Sequence, residues 1–114
     1  MVDSLFVYGS LAPGESNEWV LADLQGQWQP AWVAGIRHAN GLPTTEGFPV
    51  LILDNDAPQV EGLLFSSSDL ADYWQQVDRF EGIAYKRVLT EVRLADSMTQ
   101  QAYVYVLNEA FTGE

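Results

Sequence analysis

The 114-residue chain has no cysteine and one histidine, His38. The first absence removes disulfides, thiolate nucleophiles and cysteine-held metals. The second leaves too few imidazoles for a conventional zinc or iron site, so no metal is expected. Basic side chains are scarce as well: five stand against sixteen acidic ones, for a net charge of −11. A field of that sign repels nucleic acid and anionic membranes, both of which call for a basic footprint. Long hydrophobic runs are also missing. The longest lies near Phe48-Pro49-Val50-Leu51-Ile52-Leu53, far short of the roughly 20 residues that span a bilayer. The opening residues, with Asp3 among them, carry no basic and extended apolar leader, so the expectation is a soluble, cytoplasmic protein.

What the chain does have is apolar mass. Hydrophobic residues make up 47%, with four Trp, five Tyr and five Phe. A chain of this length buries about two thirds of its unfolded surface in one core. With no linker, repeat or low-complexity tract, residues 1–114 are expected to form a single domain.

The chemistry centres on Ser4 to Gly14. Leu5, Phe6, Val7 and Tyr8 form an unbroken apolar run of strand length, which breaks at Gly9 into a loop closed by Pro13-Gly14. Glycine after a strand permits a sharp turn and close approach to backbone N–H groups. Successive N–H groups in one concavity bind an anion without a cationic side chain. The plainer reading is a turn between strand and helix. Gly9 and Gly14 have the spacing of a phosphate loop, but Glu15 stands where the lysine belongs and would repel phosphate. Ser10 is a poor nucleophile candidate, because the G-x-S-x-G elbow is absent and His38 is the sole imidazole.

Further along, Ser16 or Asn17 can cap a short helix through Leu24, with Val20, Leu21 and Leu24 on one face. A strand is expected at 31–38, a loop at 40–47 and a strand at 48–53. Asp54-Asn55-Asp56 begins like a calcium loop but fails at Pro58 and Gln59, and is read as a turn. Residues 60–65 read as a strand, and Ser66 to Asp69 as a helix cap. In the helix that follows, Leu70, Tyr73, Trp74 and Val77 line one apolar face. Residues 88–94 and 100–107 form a hairpin in which Tyr103, Tyr105 and Leu107 face one way and Ala102, Val104 and Val106 the other. Six strands with two short helices imply an α+β fold, a small mixed β-barrel with helices packed outside.

One carboxylate stands out. Glu81 sits between Phe80 and Gly82-Ile83-Ala84; buried there without a cationic partner, it would have its pKa raised and become a usable base near neutral pH. The alternative is a helix-end glutamate in water, or one paired with Arg79 or Arg87. Arg79, Lys86 and Arg87 gather three of the five cations within nine residues, either a solvated turn or a patch able to hold a small carboxylate.

Taken together, Val7-Tyr8-Gly9-Ser10-Leu11, Pro13-Gly14-Glu15, Asn17, Gly47-Phe48-Pro49, Val60-Glu61-Gly62 and Asp78 with Glu81-Gly82, Tyr85 and Arg87 resemble the γ-glutamylcyclotransferase-like, or AIG2-like, family over roughly residues 4 to 107. The resemblance implies cyclisation of a γ-glutamyl group to 5-oxoproline with release of the attached amine. Glu81 matches the general acid/base. Tyr8, Gly9, Ser10 and Leu11 match the loop that floors the pocket and donates N–H groups, Tyr85 lines the same pocket, and Arg87 completes the expected binding set. A small γ-glutamyl substrate is the implied partner, and the chemistry requires no cofactor. Ala12, Glu18-Trp19 and Leu63 depart from the usual pattern at positions that shape a leaving-group pocket. Two other classes stand beside the enzyme: a binding module for a small carboxylate or γ-glutamyl ligand, and an interaction domain with an acidic surface. Glu81 and Tyr85 favour catalysis, since a binder of anions gains nothing from a buried carboxylate.

Overall fold

The computed structural model describes residues 2–38 and 49–108. Six strands occur there: β1 (Ser4–Val7), β2 (Gln27–His38), β3 (Val50–Leu53), β4 (Gln59–Ser66), β5 (Tyr85–Leu94) and β6 (Thr99–Leu107). Their order is β3-β2-β4-β1-β6-β5, and a further pairing of β2 with β5 closes five strands into a barrel, leaving β3 attached to β2 outside the ring. Closure satisfies the edges that an open sheet of this size would expose. β1 and β6 run parallel, and the other pairings are antiparallel. The expected loop at 40–47 and the expected strand start at Phe48 lie outside the described residues.

Two apolar clusters explain the sequence pattern. Phe6, Leu64, Val92, Ala102, Val104 and Val106 belong to one, and Leu5, Val7, Leu11, Leu70, Val77 and Tyr105 to the other. Alternation along β6 therefore divides as expected, with Tyr103 and Tyr105 on the second cluster. Leu5, Phe6 and Val7 of β1 are all apolar because they serve the two clusters alternately, and Ser4 is buried with them. Each large side chain so removed from water contributes about 1.5–3 kcal/mol. Gly62 lets β4 lie tightly on β1: a Cβ there would stand 2.5 Å from the Phe6 ring and 2.6 Å from the Val7 carbonyl oxygen.

The helical parts are shorter than the pattern predicts. Instead of a helix through Leu24, a single 3-10 turn covers Glu18–Val20, and Asn17 gives it no side-chain cap. The Asn17 amide donates instead to the Ser10 hydroxyl, 3.0 Å away. Val20 and Leu21 are nevertheless buried. The second helical stretch is divided into a 3-10 segment, Ser68–Asp72, and α1, Trp74–Glu81. Ser67 accepts the Asp69 N–H as expected of a cap. Leu70 and Val77 are fully buried. β2 begins four residues before the expected strand and runs through Pro30, because β4 pairs with it from Gln27 to Ala34. At Asp54 the side chain accepts the Asp56 N–H, forming the expected turn. Among the described residues no helix is long and apolar enough to cross a membrane.

Candidate active site

The loop after β1 is held by its own backbone. Gly9 and Ala12 carbonyls accept from the Ala12 and Glu15 N–H groups at 3.1 and 3.0 Å, and the Ser10 carbonyl accepts from Asn17 at 2.9 Å. The Glu18 carboxylate accepts the Gly14 N–H at 2.7 Å, where Gly14 adopts a φ of +84° that side-chain-bearing residues rarely take. Leu11 is buried in the second cluster, with Leu5, Val7 and Tyr105, and so anchors the loop to the core. These bonds turn the carbonyls into the loop itself. Among the described residues, the N–H groups of Gly9, Ser10 and Leu11 make no hydrogen bond, and are free to meet an oxygen from outside.

Tyr8 directly follows β1 and leads into that loop. Its hydroxyl donates to the Tyr105 carbonyl. Burial is the main cause that pushes the phenol far above its ordinary range, with the nearby charges of Tyr85 and Glu81 adding to it and Arg37 opposing. Tyr85, Glu81 and Arg37 are therefore near enough for their charges to act on that hydroxyl. Tyr85, at the start of β5, donates through its own hydroxyl to the Pro49 carbonyl at 2.8 Å. The Pro49 ring in turn packs 3.5 Å from where a Cβ on Gly9 would lie. Tyr8, Gly9, Pro49 and Tyr85 thus form a continuous wall.

Glu81 closes α1. Gly82 follows with a φ of +80° and donates its N–H to the Asp78 carbonyl, ending the helix at the glutamate. Burial raises the Glu81 carboxyl from 4.5 to about 7. Of the two sequence readings of this residue, the structure supports the partly buried one without a cation: among the described residues the one ion pair joins Arg87 to Asp78. A carboxyl balanced near 7 holds either proton state at neutral pH, which suits a group that must accept and return a proton.

Arg87 lies in a different setting from the other residues expected here. Its Nε and Nη2 donate to the two Asp78 oxygens at 2.9 and 3.2 Å, and its guanidinium stacks 4.6 Å from the Trp74 ring centre and 4.5 Å from that of Tyr103. The Tyr105 hydroxyl also donates to Asp78, at 2.6 Å. Burial pushes the Asp78 carboxyl up, but the bonds from Arg87 and Tyr105 outweigh it and hold it below its ordinary value. The cluster joins α1 to β5 and β6.

Three participants were not legible in the sequence. Arg37, near the end of β2, donates through Nε to the Tyr8 carbonyl at 3.0 Å; a lone arginine in an alternating strand gives no warning of that. Tyr105 serves the wall with its carbonyl and Asp78 with its hydroxyl, a double role set by where β6 lies. Trp19, 62% exposed, meets Phe80 edge-on with ring centres 5.4 Å apart. It lies beside the residue preceding Glu81, where the departure at Glu18-Trp19 was already visible.

The family model described as gamma-glutamyl cyclotransferase, AIG2-like, matches residues 5–114. No protein of curated function matches the chain. Among solved structures, YkqA from Bacillus subtilis superposes with a TM-score of 0.72 at 24% identity, covering 95% of this chain and 36% of that one. The chain therefore spans little more than a third of that protein's length. A mouse AIG2-like protein gives a TM-score of 0.72 at 17% identity, over 96% of this chain and 79% of that one. A structure titled gamma-glutamyl cyclotransferase gives 0.59 at 16%, over 92% and 66%. Identities this low speak for the fold alone.

Proposed function

The chain belongs to the AIG2-like gamma-glutamyl cyclotransferase family, and from that premise we propose that it converts a γ-glutamyl amide into 5-oxoproline and a free amine, with Glu81 as general acid/base. The observation that supports this most strongly is the Glu81 carboxyl: raised to about 7 by burial, without a cation, and close enough to Tyr8 for its charge to act on that hydroxyl.

The α-amine of the glutamyl group attacks its own γ-carbonyl carbon, forming the ring C–N bond. The bond to the departing nitrogen then breaks. Glu81 takes the proton from the attacking amine and hands it to the departing one, so the enzyme ends in its starting state. Closing a five-membered ring within one bound molecule makes positioning the largest source of acceleration, and well-oriented intramolecular reactions gain about 7–11 kcal/mol. Negative charge on the carbonyl oxygen is met by the N–H groups of Gly9, Ser10 and Leu11, which the loop holds in place before reaction. Tyr8 and Tyr85 wall the pocket, their hydroxyls fixed on the Tyr105 and Pro49 carbonyls. Arg87 contributes indirectly: through Asp78 it holds the helix that ends in Glu81. All chemical steps run on the protein's own groups, and the cytoplasm is the proposed location.

The test is 5-oxoproline release from a panel of γ-glutamyl amines and peptides. Turnover by the wild-type protein, falling about 100- to 10,000-fold in Glu81→Gln, supports the reading. Full activity in a folded Glu81→Gln protein refutes the assigned role. A folded wild type that binds 5-oxoproline but turns over nothing in the panel is a binding module.

A further inference from the structure

Among the described residues, Arg37 engages one of its five guanidinium N–H donors, its Nε, on the Tyr8 carbonyl. It is exposed, and no carboxylate partners it among the described residues. The other cations are placed differently. Arg87 is paired with Asp78 and sandwiched between two rings, and Arg93 lies 6.0 Å over the Trp32 ring. Arg79 and Lys86 are exposed on α1 and β5. Arg37 is the cation whose charge acts on the Tyr8 hydroxyl, the same hydroxyl that Glu81 and Tyr85 influence.

We propose that Arg37 anchors the α-carboxylate of the γ-glutamyl group, leaving the N–H groups of Gly9, Ser10 and Leu11 to the γ-carbonyl oxygen. In a trans peptide the carbonyl and the N–H point in opposite directions. Arg37 holds the Tyr8 oxygen, so the Gly9 N–H of the same peptide unit points away from the guanidinium. The two ends of one peptide thereby address two different oxygens of one substrate. The free edge of a planar guanidinium matches a carboxylate in bidentate geometry, which a backbone N–H cannot do. In a protein carrying −11, an anionic substrate gains from a single cation placed where its charge must go. The resulting specificity is for γ-glutamyl amides with a free α-carboxylate.

The identity of the anion rests on the cyclotransferase reading, and the experiment separates the two. Two amides of benzylamine are compared: the γ-glutamyl amide, which yields 5-oxoproline and benzylamine, and the 4-aminobutyryl amide, which lacks the carboxylate and yields 2-pyrrolidinone and benzylamine. Arg37→Gln keeps an N–H donor for the Tyr8 carbonyl and removes the charge. It is expected to raise KM for the γ-glutamyl amide about 10- to 100-fold while leaving the 4-aminobutyryl amide unchanged. Arg37→Lys, which keeps charge without the fork, is expected to fall between. An equal loss for both amides, or no loss for either, overturns the anchor. If wild-type protein turns over neither amide, titration with 5-oxoproline and 2-pyrrolidinone decides: binding of the acid alone, lost in Arg37→Gln, upholds the anchor while the enzyme reading fails, and binding indifferent to Arg37 overturns it. Because Arg37 is exposed, all variants are expected to melt with the wild type.

Discussion

Asp78 and Glu81 lie one turn apart on the same short helix and hold their protons in opposite ways. On the Asp78 side, Arg87 and Tyr105 bring three hydrogen bonds to one carboxylate and keep it below its usual value. On the Glu81 side, burial acts without an opposing cation and lifts the carboxyl to about 7. One carboxylate is a charged tie at neutral pH, and the other is the proton carrier of the proposed reaction. Environments that push neighbouring titratable groups apart mark the division of roles at a reactive site. The two arginines repeat the contrast: Arg87 is tied to Asp78 and stacked between two rings, and among the described residues Arg37 makes one hydrogen bond, to the Tyr8 carbonyl.

The comparison breaks first on activity. If Glu81 alone carries the proton, kcat/KM rises with pH through about 7 as its carboxyl ionises, and in Glu81→Gln that limb disappears along with about two to four orders of magnitude of rate. A limb near 4.5 in the wild type shows the group in water instead.

The next effect is on stability. A carboxyl raised from 4.5 to about 7 on folding makes the native state bind more protons between those values, so stability falls as pH rises through that window and levels off above it. Glu81→Gln removes the fall. At pH 8 the variant is expected to be more stable than the wild type by about 3 kcal/mol, that interval taken at about 1.4 kcal/mol per pH unit, and equal to it near pH 4. Urea unfolding at both pH values reads the difference; a constant offset would show that burial does not set the pKa. Asp78 runs the other way. Its lowered pKa gives stability present above about 3.9 and lost as pH falls further.

Smaller again is the cost of loosening the tie. Arg87→Met keeps much of the apolar packing between Trp74 and Tyr103 but leaves Asp78 without its cation. With side chains 23% and 43% exposed, the loss is expected at about 1–2 kcal/mol, a fall in melting temperature of roughly 5–10 °C. In the surviving fold, the pH limb of activity is expected to drift below 7 as Glu81 gains water. A limb that stays in place would show that Asp78 and Arg87 serve stability alone. Least of all, Trp19→Ala removes the edge-on contact with Phe80 and is expected to cost less than about 1 kcal/mol, which thermal melting resolves.

Much of the fold is readable from local pattern, because a strand whose two faces each meet an apolar cluster is apolar on both, as Leu5 to Val7 of β1 and Ala102 to Val106 of β6 are. Helix extent is less readable. Asn17 looks like a cap until Ser10 supplies another partner for its amide, and Leu70 to Val77 reads as one helix because periodicity does not register a change from 3-10 to α at Tyr73. The candidate base was singled out by its apolar neighbours in sequence, yet those neighbours fit a glutamate in water equally well.

Composition and periodicity by themselves determined an acidic α+β barrel without disulfides, a glycine loop after the first strand, and a short set of residues worth testing. Tertiary structure alone decided which of those residues meet. Asp78 takes Arg87 because β5 and β6 pass behind α1, and with that cation engaged Glu81 is left to burial. Arg37 reaches Tyr8 from 29 positions away because barrel closure brings the end of β2 beside the end of β1. Pairings across such separations depend on strand order and register, which no local run of residues encodes.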